Sequence, residues 1–150
     1  MKVTNTVYIE VPTEFVWFAT ADVESWPNWS PNFQSVQLID SGELCVGNKA
    51  RIKQQGLPST DWRVNDYQEG EHFSWNTTVL GLRVRATHIV SEIEGGTRSQ
   101  LDLSLSGVFS AMIWPILKPL LTTALRRENN ALRLRSLELR SERELQWQTN

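Results

Sequence analysis

Six runs of alternating side chains, each closed by a short turn signal, fill residues 34 to 107 and leave no room for a helix between them. The runs are "QSVQLID", "KARIKQQ", "DWRVNDYQ", "HFSWNTTV", "LRVRATHIVSEI" and "TRSQLDLSLSG", and the separators "SGELCVGN", "GLPST", "EGE", "LG" and "EGG" carry the glycines and a proline. Connections this short join antiparallel neighbours, so the stretch predicts a meander. "KVTNTVYIE" adds a strand in front, with Val3, Val7 and Ile9 on one face and Lys2, Thr4, Thr6 and Glu10 on the other. Pro12 stops that strand. A short helix over "TEFVWFATA" follows, with Thr13 and Glu14 suited to its first turn. Asp22 is placed as the N-cap of a second short helix that ends near Pro27.

After residue 107 the pattern changes. From about Phe109 to Arg143, leucines recur at helical spacing among arginines and glutamates. Leu117, Leu121, Leu125, Leu132 and Leu139 approximate one stripe, with Pro115 and Pro119 expected at the start and in the first turn. A curved antiparallel sheet has one face to hide, and this helix is the only element large enough to hide it. The expectation is an α+β fold: a single domain over residues 1–143, followed by a C-terminal tail at 144–150.

Composition narrows the function classes. A chain of 150 residues suits one domain with one core. With 15 basic and 17 acidic residues there is no field of one sign to attract nucleic acid. The single cysteine, Cys45, allows no intrachain disulfide and reads as a small residue near a turn. Two histidines and one cysteine make a transition-metal site unexpected, and neither a phosphate-binding glycine loop nor a G-x-S-x-G motif occurs. No metal and no cofactor are therefore expected. "MKVTNTVYIEVP" lacks the apolar core of a secretory signal. "GVFSAMIWPILKPLLTTAL" approaches bilayer length, but Lys118 between two prolines argues against a span. The location expected is cytoplasmic.

The chain resembles the START-like, helix-grip superfamily, also called SRPBCC, and most of all its bacterial polyketide cyclase/dehydrase-type members. The residues that carry the resemblance are "IEVPTEFVWFATADVESWPNWSPNF", "SGELCVGNKARI" and "THIVSEIEGGTRSQLDLSLSG", in that order, together with the order of elements over residues 1 to 143. The resemblance implies the birch-pollen-allergen-like architecture: seven strands curved around a long C-terminal helix, with a cavity between them. It implies no single chemistry, because members include carriers, receptors and enzymes. "QQGLPST" is also similar to the gate loop of the plant abscisic-acid receptors, through Gly56, Leu57 and Pro58; the same three residues also make an ordinary turn. The cavity lysine of those receptors has no counterpart in "SPNF".

Strand parity sorts the lining without the resemblance. Val84, Ala86 and His88 share a face opposite Arg83 and Arg85. Trp75 and Thr77, Trp62, Ile52 and Gln54, and Leu103 fall on the matching faces of their strands. With Leu117 and Leu121 from the helix, and Trp29 near the mouth, these make the candidate ligand-binding set. Trp26 and Trp29 are placed either as lids or as a plug closing one end of the core. Polar groups are few on the inward face: His88, Gln54, Thr77 and Asn5. A mostly apolar pocket with a few convergent polar groups suits a small molecule.

Three functions follow. The first is binding or carriage of a small apolar molecule such as a lipid, isoprenoid or polyketide-like compound. The second is a cyclase or dehydratase with His88 as acid or base. The third is an interaction module with a filled interior, its partner face formed by Phe109, Met112, Ile113 and Trp114. A homodimer is compatible with all three.

Overall fold

The computed structural model describes residues 1–40 and 42–149. Its seven strands are β1 (Lys2–Ile9), β2 (Phe33–Leu38), β3 (Lys49–Gln54), β4 (Thr60–Gln68), β5 (His72–Val79), β6 (Leu82–Ile93) and β7 (Gly96–Ser106). They form one antiparallel sheet in the order β1-β7-β6-β5-β4-β3-β2. The six later strands thus pair with their sequence neighbours, as short connections require, and β1 closes onto β7. Helices α1 (Thr13–Ala21) and α2 (Trp26–Trp29) bridge the two sheet edges, and α3 (Ser110–Thr149) lies in the sheet's concavity.

The "EGG" turn shows why two glycines stand together. Gly95 takes φ +81°, the left-handed region that a tight hairpin between β6 and β7 needs. Gly96 serves a different end: a Cβ there would collide with the carbonyl oxygen of Ile9 where β1 crosses the start of β7.

Three sequence expectations shift. The second short helix does not end at Pro27. Asp22 precedes a single 3-10 turn at Val23–Ser25 and makes no side-chain cap bond, and α2 carries Pro27 in its first turn. A proline fits there because that N–H has no helical partner in any case. Pro115 and Pro119 lie inside α3, well past its start. Each removes one helical hydrogen bond from the N-terminal third of α3. Residues 144–149 continue α3 as exposed helix rather than leaving it at Arg143; Asn150 is outside the described residues.

Two anchors hold α3. Near its middle, Asn129 is wholly buried. Its side-chain amide nitrogen reaches the carbonyl of Asn5 at 3.2 Å, the side-chain oxygen of Asn5 at 2.9 Å and the carbonyl of Ser99 at 3.2 Å. The hydroxyl of Ser99 donates to Asn129 Oδ1 at 2.9 Å. One residue therefore joins α3 to both β1 and β7. Toward the C-terminus, Arg140 donates to the carbonyl of Glu10 at 2.7 Å, and Arg143 pairs with Glu14 of α1 at 3.0 Å while its guanidinium sits over Phe15. These last contacts are exposed and contribute modestly. The buried Asn129 network carries more weight, because breaking it strands polar atoms away from water.

Candidate functional site: a cavity between sheet and helix

The space between sheet and α3 is divided. One end is solid aromatic packing. Trp26 is 3% exposed, donates its indole N–H to the carbonyl of Ala19 and lies 5.0 Å from Phe33 and 5.5 Å from Trp75, ring centre to ring centre. Trp26 is thus a plug at one end of the core, not a lid. Trp29 is half-buried with its indole N–H on the hydroxyl of Ser25, and it stands outside the cavity wall. The expected lining role belongs to Trp26 instead.

The other end is hollow, with a volume of about 410 Å³. Protein interiors rarely leave voids larger than a water molecule, so this is not a packing defect. The register builds its floor in rows. Thr77, Val84 and Leu105 align across β5, β6 and β7, as do Trp75, Ala86 and Leu103, and then Phe73, His88 and Leu101. Arg83 and Arg85 are exposed on the opposite face, as parity requires. Val84 and Ala86 keep accessible surface because they face open space rather than packed atoms. Ile52, Gln54 and Trp62 extend the wall from β3 and β4, and Leu117 and Leu121 form the roof from α3 with Ile113, Ala124, Leu125 and Glu128. The cavity reaches the surface at two hairpin tips, where Leu57, Pro58 and Leu80 both line it and stand exposed. Gly56, expected with the gate loop, makes the turn at φ +78° without lining the cavity. The ammonium of Lys53 donates to the carbonyl of Leu57 and ties this loop back to β3.

Of the polar groups expected inside, Gln54, Thr77 and His88 are in the wall, and Asn5 is not. Asn5 serves the Asn129 clamp. Thr77 donates to the carbonyl of Asp61, so its hydroxyl hydrogen is already used. His88 stacks on Phe73 with ring centres 4.5 Å apart and planes within 13°. It makes no hydrogen bond with the described residues, and burial pushes its pKa down to about 3. Near neutral pH the ring is neutral, with one donor and one acceptor.

Glu128 and Asn32 are wall residues that the sequence did not reveal. Glu128 retains some accessible surface, as a residue facing a hollow does, yet burial among apolar neighbours pushes its carboxyl up to about 8. A signal for it existed: Glu128 stands three residues after Leu125 and four before Leu132, inside the leucine stripe rather than beside it. Asn32 donates to the carbonyl of Ala124 at 2.8 Å, linking the segment after α2 to the roof.

Comparisons with known proteins agree with this geometry. The family model described as "Polyketide cyclase / dehydrase and lipid transport" matches residues 1–137. The chain belongs to that family. No curated protein matches this family member. Among solved structures it is similar to a hypothetical protein of Helicobacter pylori, with a TM-score of 0.80 at 15% identity, covering 91% of this chain and 88% of that one. It is also similar to a START superfamily protein from Mycobacterium smegmatis, with a TM-score of 0.74 at 18% identity, covering 92% and 98%. A third likeness is to the di-domain ARO/CYC StfQ of the steffimycin biosynthetic pathway, at 0.78 and 8%, covering 93% of this chain and 51% of that one. At these identities the likenesses show the fold alone: a START-like sheet around a C-terminal helix.

The expected partner face of this family member is redistributed by the helix. Phe109 and Met112 are exposed, but Ile113 lines the cavity and Trp114 packs beside Val3, Leu101 and Leu125. The exposed stripe runs instead through Met112, Ile116 and Leu120. Among the described residues, no helix is long and apolar enough to cross a membrane, and no cluster of metal-ligating side chains occurs.

Proposed function

We propose that this protein binds and carries a small apolar molecule in the cavity between its sheet and α3. The carrying observation is the hollow itself: about 410 Å³, walled mostly by apolar side chains. Small-molecule sites span roughly 300–1,000 Å³, so the volume suits a single ligand of lipid, isoprenoid or polyketide-like type. A lipid-transport component in the family's description is consistent with this reading. The exposed apolar tips at Leu57 and Leu80 serve as its gate.

A second reading, a cyclase- or dehydratase-type reaction, draws on Glu128. A carboxyl held neutral near pH 7 can act as an acid, but the His88 ring, with its pKa lowered to about 3, is a poor base. Carriage is preferred because it needs only the cavity.

Native mass spectrometry of the purified protein tests the reading. The expected spectrum contains a bound small molecule that is released on denaturation, either carried from the expressing cells or taken up on incubation with decanol. A bare mass under both conditions counts against it.

A further inference from the structure

Glu128 and His88 face one cavity from opposite walls, the first from α3 and the second from β6. Neither has a hydrogen-bond partner among the described residues. The one side-chain polar atom sealed off without a partner there is Ser30 Oγ, so both groups keep access to the hollow. The third titratable residue in the wall, Asp102, is held by Lys2 at 3.3 Å and by Thr4 at 2.7 Å. Among the described residues, no lysine or arginine lines the cavity. An anionic head inside would therefore lose its hydration with no counter-charge to replace it. A hydroxyl or carbonyl would meet a donor and an acceptor that are otherwise idle.

We infer that the cavity selects an uncharged amphiphile, whose one hydroxyl or carbonyl seats between Glu128 and His88, and rejects the same chain ending in an anion. This rests on the carrier reading above and specifies its ligand. The protonation states fit: burial keeps the Glu128 carboxyl protonated to about pH 8 and the His88 ring neutral down to about pH 3. Both groups then present hydrogen-bonding capacity without charge.

Displacement of Nile red from the full chain by decanol, decanoate, decylammonium and decane tests it. Near neutral pH, decanol should bind about 100-fold or more tightly than decanoate, because a carboxylate with an ordinary pKa near 4.3 must take up a proton to enter. Decanoate affinity should then rise about tenfold for each pH unit lowered toward pH 5, while decanol affinity stays flat. Glu128→Gln keeps an N–H donor and should hold decanol within about threefold. Glu128→Leu should weaken decanol about tenfold or more, the usual effect of a lost buried hydrogen bond, and leave decane unchanged. The inference is overturned if decanoate or decylammonium matches decanol, or if Glu128→Leu leaves decanol unaffected. If neither Nile red nor decane binds at all, the carrier reading itself fails.

Discussion

Replacing Asn129 with leucine is expected to destabilise the protein by about 3 to 5 kcal/mol, a size reserved for a broken buried polar network. Leucine keeps the forked shape of asparagine but takes up more room, so overpacking adds to the chemical loss at this fully buried position. It removes the acceptor for the Ser99 hydroxyl and the donor shared by Asn5 and the Ser99 carbonyl, all around a residue with no solvent access. These atoms lie between α3 and the β1–β7 pair, where no water can take over. For a chain of this size the melting temperature should fall by roughly 10 °C or more. Asn130→Ala, one position along on the exposed side, should stay within about 0.5 kcal/mol. Equal melting temperatures for Asn129→Leu and wild type would show that α3 is held by its apolar stripe alone.

Stability should also peak in mildly acidic solution, because His88 and Glu128 pull in opposite directions. His88 has its folded pKa lowered from 6.5 to about 3. Its contribution is present above pH 6.5 and is lost as pH falls toward 3, where only the unfolded chain gains the proton. Glu128 has its folded pKa raised from 4.5 to about 8. Its neutral form is at no disadvantage below pH 4.5. As pH rises toward 8 the unfolded chain gives up the proton that the fold retains, so stability falls. Between 4.5 and 6.5 the two slopes cancel. Each group contributes up to about 5 kcal/mol over its full range, less for Glu128 because part of it remains accessible. Thermal unfolding of Glu128→Gln checks this. The variant should match wild type near pH 4.5 and exceed it by roughly 2 kcal/mol or more near pH 9. A difference that stays the same at both pH values would mean the Glu128 carboxyl is not held neutral by the fold.

The strands and the sheet order were legible because alternation and short turns leave few alternatives. Parity alone places Val84, Ala86 and His88 on one face and Arg83 and Arg85 on the other. What failed did so where two elements meet. The tryptophan that lines the cavity depends on whether a short helix stops at Pro27 or continues through it, and proline is compatible with both. In α3, Leu125 and Leu132 stand seven positions apart, and the polar run between them, Arg126 to Asn130, looks like solvent-facing surface. Glu128 and Asn129 are instead both turned inward, one to the hollow and one to the sheet. Helical spacing gives the direction of a side chain but not what waits there. For Asn129 it is the backbone carbonyls of Asn5 and Ser99; for Glu128 it is empty space.

The hollow as a binding site is tested most directly by filling it. Ala86 lies on the cavity floor between Trp75 and Leu103, and a tryptophan in its place would project into the open volume without crossing the sheet. Titration of Nile red against wild type and Ala86→Trp is the decisive measurement. Binding inside the cavity predicts saturable one-to-one binding by wild type, weakened roughly tenfold or more in the variant, with the melting temperature held or raised because open space is filled. Equal affinity for the two proteins, with Ala86→Trp still folded, would place the dye elsewhere and contradict a ligand carried between sheet and helix.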